Sequence, residues 1–152
     1  MITDPVLLRI GETVLRSHSG ESQAARLELR RLWDEIGGDS GDPLRRCTLA
    51  HSLADLQEEP ADELAWDLRA LTAAAEITDE HTARAGVELP AAALYPSLYL
   101  NLAECYRRLG DLGRAREYLA LARDTIGRLG DDEYGRLIRD GLRTVAEQLD
   151  GI

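Results

Sequence analysis

The chain has 152 residues, of which 28 are acidic and 18 basic, for a net charge of -10. That length suits one domain burying roughly two thirds of its unfolded surface. The charge balance disfavours nucleic acid, because the arginines of 107–128 are interleaved with Glu104, Asp111, Glu117 and Asp124 instead of forming a basic patch.

There is no apolar run of about 18 residues and no basic-then-apolar leader, so neither a membrane span nor a secretion signal is expected, and the expected location is the cytoplasm. Leu, Ala, Glu and Arg dominate and β-branched residues are scarce, which favours helix throughout and predicts an all-α fold of about seven helices. Every basic residue is Arg and Phe is absent, a pattern that fits codon bias in a GC-rich genome. Cys47 and Cys105 lie far apart inside apolar helical patterns, as expected of reduced, buried thiols.

Asp4-Pro5 opens the first helix with a cap and a proline at its first position, followed by the stripe Val6, Ile10, Val14 and a stop near His18-Ser19-Gly20. A second helix, about 21–36, turns Ala25, Leu29, Leu32 and Trp33 inward. The loop Gly37 to Asp42 ends in another Asp-Pro start at Asp42-Pro43, and the third helix, about 43–57, carries Leu49, Ala50 and Leu53. Glu59-Pro60 begins a fourth, about 61–79, presenting Leu64, Ala65, Leu68, Leu71 and Ala75, with Trp66 as a further candidate; residues 80–87 could prolong it by two turns before Pro90 breaks the chain.

From Tyr95-Pro96-Ser97 the pattern sharpens. Tyr99, Leu102, Ala103 and Tyr106 form one stripe, Ala115, Leu119, Ala122 and Ile126 the next, and Leu109-Gly110-Asp111 supplies a helix stop followed by a cap. Ala103 and Ala115 are predicted at the close crossing of this hairpin. Asp131-Asp132-Glu133 opens the last helix, with Tyr134, Leu137, Ile138, Leu142, Val145 and Leu149 on one side.

The positions Tyr99, Leu102, Ala103, Tyr106, Gly110, Ala115, Leu119 and Ala122 resemble a tetratricopeptide repeat, a 34-residue helix-turn-helix in which Tyr99 stands for the usual Trp and Leu119 for Phe. Gly20, Ala25, Leu29 and Leu32 repeat part of that spacing. The resemblance implies a short right-handed α-solenoid, one domain over 1–152, of about three hairpins (4–36, 43–79, 96–129) and a capping helix at 131–150.

Tetratricopeptide repeats bind other proteins along a groove lined by the first helix of each hairpin, which implies a non-catalytic module for a peptide or protein partner. The groove positions are then Ser97, Leu100, Asn101, Glu104, Arg107 and Arg108, with Thr48, His51 and Asp55 on the equivalent stripe of the third helix, where Leu44 and Cys47 also fall. Asn101 occupies a place where some family members hold a peptide backbone or terminal carboxylate, although the usual Lys partners are missing. The arginines would favour a ligand with some acidic character.

The alternatives are a self-associating helical domain and, with less support, a small-ligand sensor or enzyme. Cys47, His51 and Asp55 share one helix face at i, i+4, i+8, a thiol-imidazole-carboxylate set. Strung over about 12 Å at ~1.5 Å per residue, with no glycine-rich turn to bind an oxyanion, they make a poor catalytic site. No cofactor and no metal are expected.

Overall fold

The structure is a computed structural model that describes residues 1–151. Among these it is all-α: α1 (Pro5–His18), α2 (Ser22–Glu35), α3 (Pro43–Asp55), α4 (Pro60–Ala74), α5 (Asp79–Ala85), α6 (Tyr95–Arg108), α7 (Leu112–Thr125) and α8 (Glu133–Asp150). Short 3-10 turns cover Gly38–Ser40, Ala91–Leu94 and Ile126–Arg128. No helix of the described residues is long and apolar enough to cross a membrane.

The helix starts follow from their caps. The Asp4 carboxylate accepts from the amides of Val6 and Leu7 at 2.9 and 3.0 Å, and Asp42, Asp111 and Asp132 accept from Arg45, Arg114 and Gly135 at 3.0, 3.1 and 2.8 Å. Gly110 ends α6 at φ +84°, a left-handed conformation that other residues adopt only with strain.

The segment after α4 departs from expectation. Residues 80–87 do not prolong α4, which stops at Ala74; Thr78 is extended and starts the separate helix α5. The Thr78 hydroxyl accepts from the His81 amide at 3.3 Å, and His81 Nδ1 accepts from the Thr78 amide at 2.9 Å. This is a capping box with His where Glu or Gln normally signals one.

Backbone contacts divide the chain into two compact units, Met1–Ala91 and a second beginning at Ala92. In the first, α3 and α4 form the most intimate pair, α2 packs on α1, and both α1 and α2 pack on α3. Ala50, Ala54 and Ala70 are wholly inaccessible at 0% exposure, and Ala73 and Ala74 are nearly so, which lets the α3 and α4 backbones approach. In the second, α6 and α7 pair equally closely around Leu102, Ala103, Ala115 and Ala122, and α8 packs against both.

This alanine seam corrects the phase of α4. Its buried face is Trp66, Asp67, Ala70, Ala73 and Ala74, while Leu64, Leu68 and Leu71 lie half-buried on the flanks and Ala65 and Ala75 are exposed. Small residues take the crossing because the large leucines would hold the helices apart. Trp66 meets Trp33 edge-on, ring centroids 5.2 Å apart, with Arg69 over its face at 4.4 Å.

In α8 the apolar side divides: Ile138, Leu142, Val145 and Leu149 are buried, whereas Tyr134 and Leu137 are exposed. The buried Arg46 donates to the Gly41 carbonyl at 2.8 Å and to Glu76 at 2.7 Å, tying the 37–41 loop to the end of α4.

Two substitutions test this packing. Ala103→Leu is expected to overpack the α6–α7 crossing and cost about 1–3 kcal/mol in thermal or urea unfolding followed by circular dichroism. Arg46→Met is expected to cost roughly 2 kcal/mol through two lost charge-assisted hydrogen bonds.

Candidate functional site

The nine expected groove residues fall in both units: Thr48, His51 and Asp55 on α3, the other six on α6.

In the second unit, Leu100, Asn101 and Glu104 line a cleft of about 340 Å³ whose other wall is α8, through Gly141, Thr144, Val145 and Gln148. Leu100 is the floor of this cleft, buried to 9% exposure, and not an outward contact residue. A Cβ at Gly141 would lie 2.7 Å from Leu100 Cδ2, so the glycine lets α8 come close to α6 at that level. The last helix is thus one wall of a cleft. Leu137, Gly141, Thr144 and Gln148 recur at i, i+4, i+7 and i+11, placing the exposed Leu137 on the same side of α8.

The charged groups of α6 are engaged with each other. Arg107 holds Glu104 with two hydrogen bonds of 2.7 and 2.9 Å, and Arg108 Nε lies 3.5 Å from the same carboxylate. Glu104 in turn raises the Arg107 pKa. The Ser97 hydroxyl donates to the Leu94 carbonyl at 3.4 Å. The pull of these arginines on an acidic ligand is accordingly weakened by Glu104.

In the first unit the C-terminal ends of α1 and α3 border a cleft of about 250 Å³ lined by Val14, Ser17, His18, Ser22, Ser52, Asp55 and Leu56. A second cleft of about 210 Å³ is lined by Ser22, Gln23, Arg26, Asp55, Leu56, Gln57 and Glu58 and shares Ser22, Asp55 and Leu56 with the first. Asp55 is exposed and lines both clefts. Desolvation raises its pKa above the usual carboxylate value, and the positive charges of His51 and His18 oppose that rise.

Not all of the expected α3 stripe is available to a ligand. The Thr48 hydroxyl donates to the Leu44 carbonyl at 2.9 Å, and Leu44 itself is buried, as Leu100 is. His51 Nδ1 lies 3.9 Å from a carboxylate oxygen of Asp67, a residue of α4 with only 1% exposure. Pattern reading gave no sign of Asp67, since an acid on the buried side of an alanine-rich helix looks like a surface residue. Burial pushes the Cys47 thiol up to about 12, which leaves it protonated at neutral pH and removes the nucleophile from the Cys47, His51, Asp55 set.

No protein-family model, no curated protein and no solved structure matches the chain. The likeness to tetratricopeptide repeats rests on residue spacing.

Two expectations follow. With its pKa raised in the folded state, the ionised Asp55 destabilises the native chain increasingly as pH rises from the unfolded carboxylate value, about 4, through the folded one. Asp55→Asn should therefore melt higher than the parent at pH 7, with the gain shrinking toward pH 3; an equal or lower melting temperature at pH 7 contradicts the assignment. Cys47 and Cys105 are both buried, so a thiol reagent should modify neither in the native protein at pH 8 and both after denaturation.

Proposed function

We propose that this chain is a non-catalytic protein interaction module, a short α-solenoid of hairpins like tetratricopeptide repeats, that holds an extended partner segment along the first helices of successive hairpins. The observation that carries this reading is the α6–α8 cleft, where Leu100, Asn101 and Glu104 of the expected groove meet Gly141, Thr144 and Gln148 of α8.

The packing within each unit supports the same reading. α1 packs on its own partner α2 and on α3, the start of the following hairpin; α6 packs likewise on α7 and α8. This neighbour-to-neighbour order is what a stacked array requires. The Gln148 amide, able to donate to and accept from a peptide backbone, and the Thr144 hydroxyl, which donates to the Asp140 carbonyl at 3.0 Å and can still accept, border an apolar floor of Leu100 and Val145, a combination suited to an extended ligand with an apolar side chain. A cytoplasmic location is part of the proposal.

A second reading, self-association, has its own support. Leu8 and Leu15 on α1 are 48% and 67% exposed, and Leu137 on α8 is 65% exposed. Exposed leucines at these positions would suit contact between copies. Light scattering separates the two: a concentration-independent dimer that binds no peptide favours self-association.

The module reading is tested with peptides selected from a random displayed library against the purified protein. Thr144→Arg, which places a long charged side chain in the cleft, should weaken the selected peptides at least ~10-fold, about 1.4 kcal/mol, without lowering the melting temperature. Leu27→Arg on the exposed face of α2 should leave binding unchanged. Equal affinity for Thr144→Arg and the parent would place the interface elsewhere.

A further inference from the structure

We propose that His81 is a proton-operated latch: its neutral imidazole holds α5 and the N-terminal arm in place beside the starts of α1 and α3, and protonation of the ring releases both.

α5 depends on its two ends. It has 7 residues, too few for a helix to sustain itself in water, and none of the longer helices packs on it extensively. Thr82 and Ala85 are its buried residues. At the C-terminal end the amides of Gly86 and Val87 donate to the carbonyls of Ala83 and Thr82 at 3.1 and 2.9 Å. The N-terminal arm is fixed to the same end, where the Thr3 amide donates to the Ala85 carbonyl at 2.9 Å and the Met1 ammonium lies 3.6 Å from Glu88. The N-terminal end of α5 is held by the Thr78–His81 box and by Asp79, whose carboxylate accepts from the Ala91 amide at 2.8 Å.

The box works only while Nδ1 of His81 carries a lone pair. That nitrogen accepts from the Thr78 amide at 2.9 Å and lies 3.0 Å from the Thr78 hydroxyl, which places the single proton of the neutral ring on Nε2. A second proton lands on Nδ1, and the Thr78 amide then faces an N–H instead of an acceptor. Donation from this new N–H to the Thr78 hydroxyl leaves the amide without a partner. The imidazolium also stands at the positive end of the helix dipole. Glu or Gln in this position of a capping box accepts throughout the neutral range, whereas histidine changes charge between about pH 5 and 8.

The charged groups around the ring do not replace the lost acceptor. Asp4, Asp42, Arg45 and Arg84 line with His81 a cleft of about 260 Å³ between the arm, the starts of α1 and α3, and α5. Asp4 is held by Arg45 at 2.9 Å, Asp42 caps α3, and on α5 itself Glu80 is held by Arg84 at 2.7 Å. These carboxylates attract an imidazolium, and in doing so they draw the ring away from the Thr78 amide. The buried Leu7 and Leu44 line the same cleft, so release of α5 and the arm uncovers apolar surface where α1 packs on α3.

The test is NMR of the full chain at pH 7.5 and pH 5.5, with the parent beside His81→Gln, which keeps an acceptor that does not titrate, and His81→Ala, which has none. Ring nitrogen-15 shifts of His81 should show the Nε2–H tautomer at pH 7.5. On going to pH 5.5 the parent should lose the helical Cα shifts of residues 79–85. Protection of its Thr3 amide, corrected for the intrinsic pH dependence of exchange, should fall at least ~5-fold, the scale of a lost cap. His81→Gln should keep both signals at both pH values, and His81→Ala should lack them at both. An Nδ1–H tautomer at pH 7.5, a parent unchanged between the two pH values, or a closed α5 in His81→Ala overturns the proposal. An equal change in His81→Gln assigns the effect to His18, His51 or a carboxylate and overturns it too.

Discussion

Two helices can approach only as closely as the residues at their crossing allow, and in both units those residues are alanines. Ala50, Ala54 and Ala70 between α3 and α4, and Ala103, Ala115 and Ala122 between α6 and α7, are wholly removed from solvent. Because small side chains fill the seam, the larger residues are displaced to its borders. Leu49 and Leu53 go into the core of the first unit, Trp66 turns edge-on against Trp33, and Tyr99 and Tyr106 flank α7 half-exposed, with Tyr118 stacked on Tyr106 at 5.6 Å. Each close pair then behaves as a slab onto which a neighbouring helix of the same unit packs, α1 on α3 and α8 on α6, and the clefts lie along those contacts.

Much of the fold was legible because its signals are local. A capping aspartate, a proline at the first helical position and a left-handed glycine each act within one turn, and they located α1, α3, α6 and α7 closely. The misreadings came where tertiary packing decides. Leucine periodicity set the phase of α4 incorrectly, since alanine outranks leucine at a tight crossing. α5 escaped notice because His81 replaces the acid or amide of a capping box, and Gly86 must remain glycine: at φ +78°, a side chain there would collide with the Met1 carbonyl of the N-terminal arm, whose Thr3 amide donates to Ala85.

The candidate site was legible to a lesser degree. Spacing pointed to one wall of each cleft, Asp55 on α3 and Leu100, Asn101 and Glu104 on α6, because residues on one helix face can be read from a 3.6-residue period. The facing walls could not be read this way. Gly141 matters through the Leu100 side chain it admits, His18 and Ser22 through the meeting of two helix ends, and Asp67 through its approach to His51; all are contacts across sequence gaps that no single-helix pattern encodes. The arginines at 107 and 108 illustrate the converse, since their charge suggested an acidic ligand until their shared hold on Glu104 came into view.

The central claim is that a ligand occupies the gaps between first helices and avoids the outer faces of α2 and α7. Site-directed photo-crosslinking tests it most directly, with a benzophenone side chain placed in turn at Ser52 and Thr144, which line the two clefts, and at Leu27 and Leu121, exposed on α2 and α7. With a library-selected peptide, covalent adducts should form from Ser52 or Thr144 and not from Leu27 or Leu121. Adducts formed only from Leu27 or Leu121 would contradict the account.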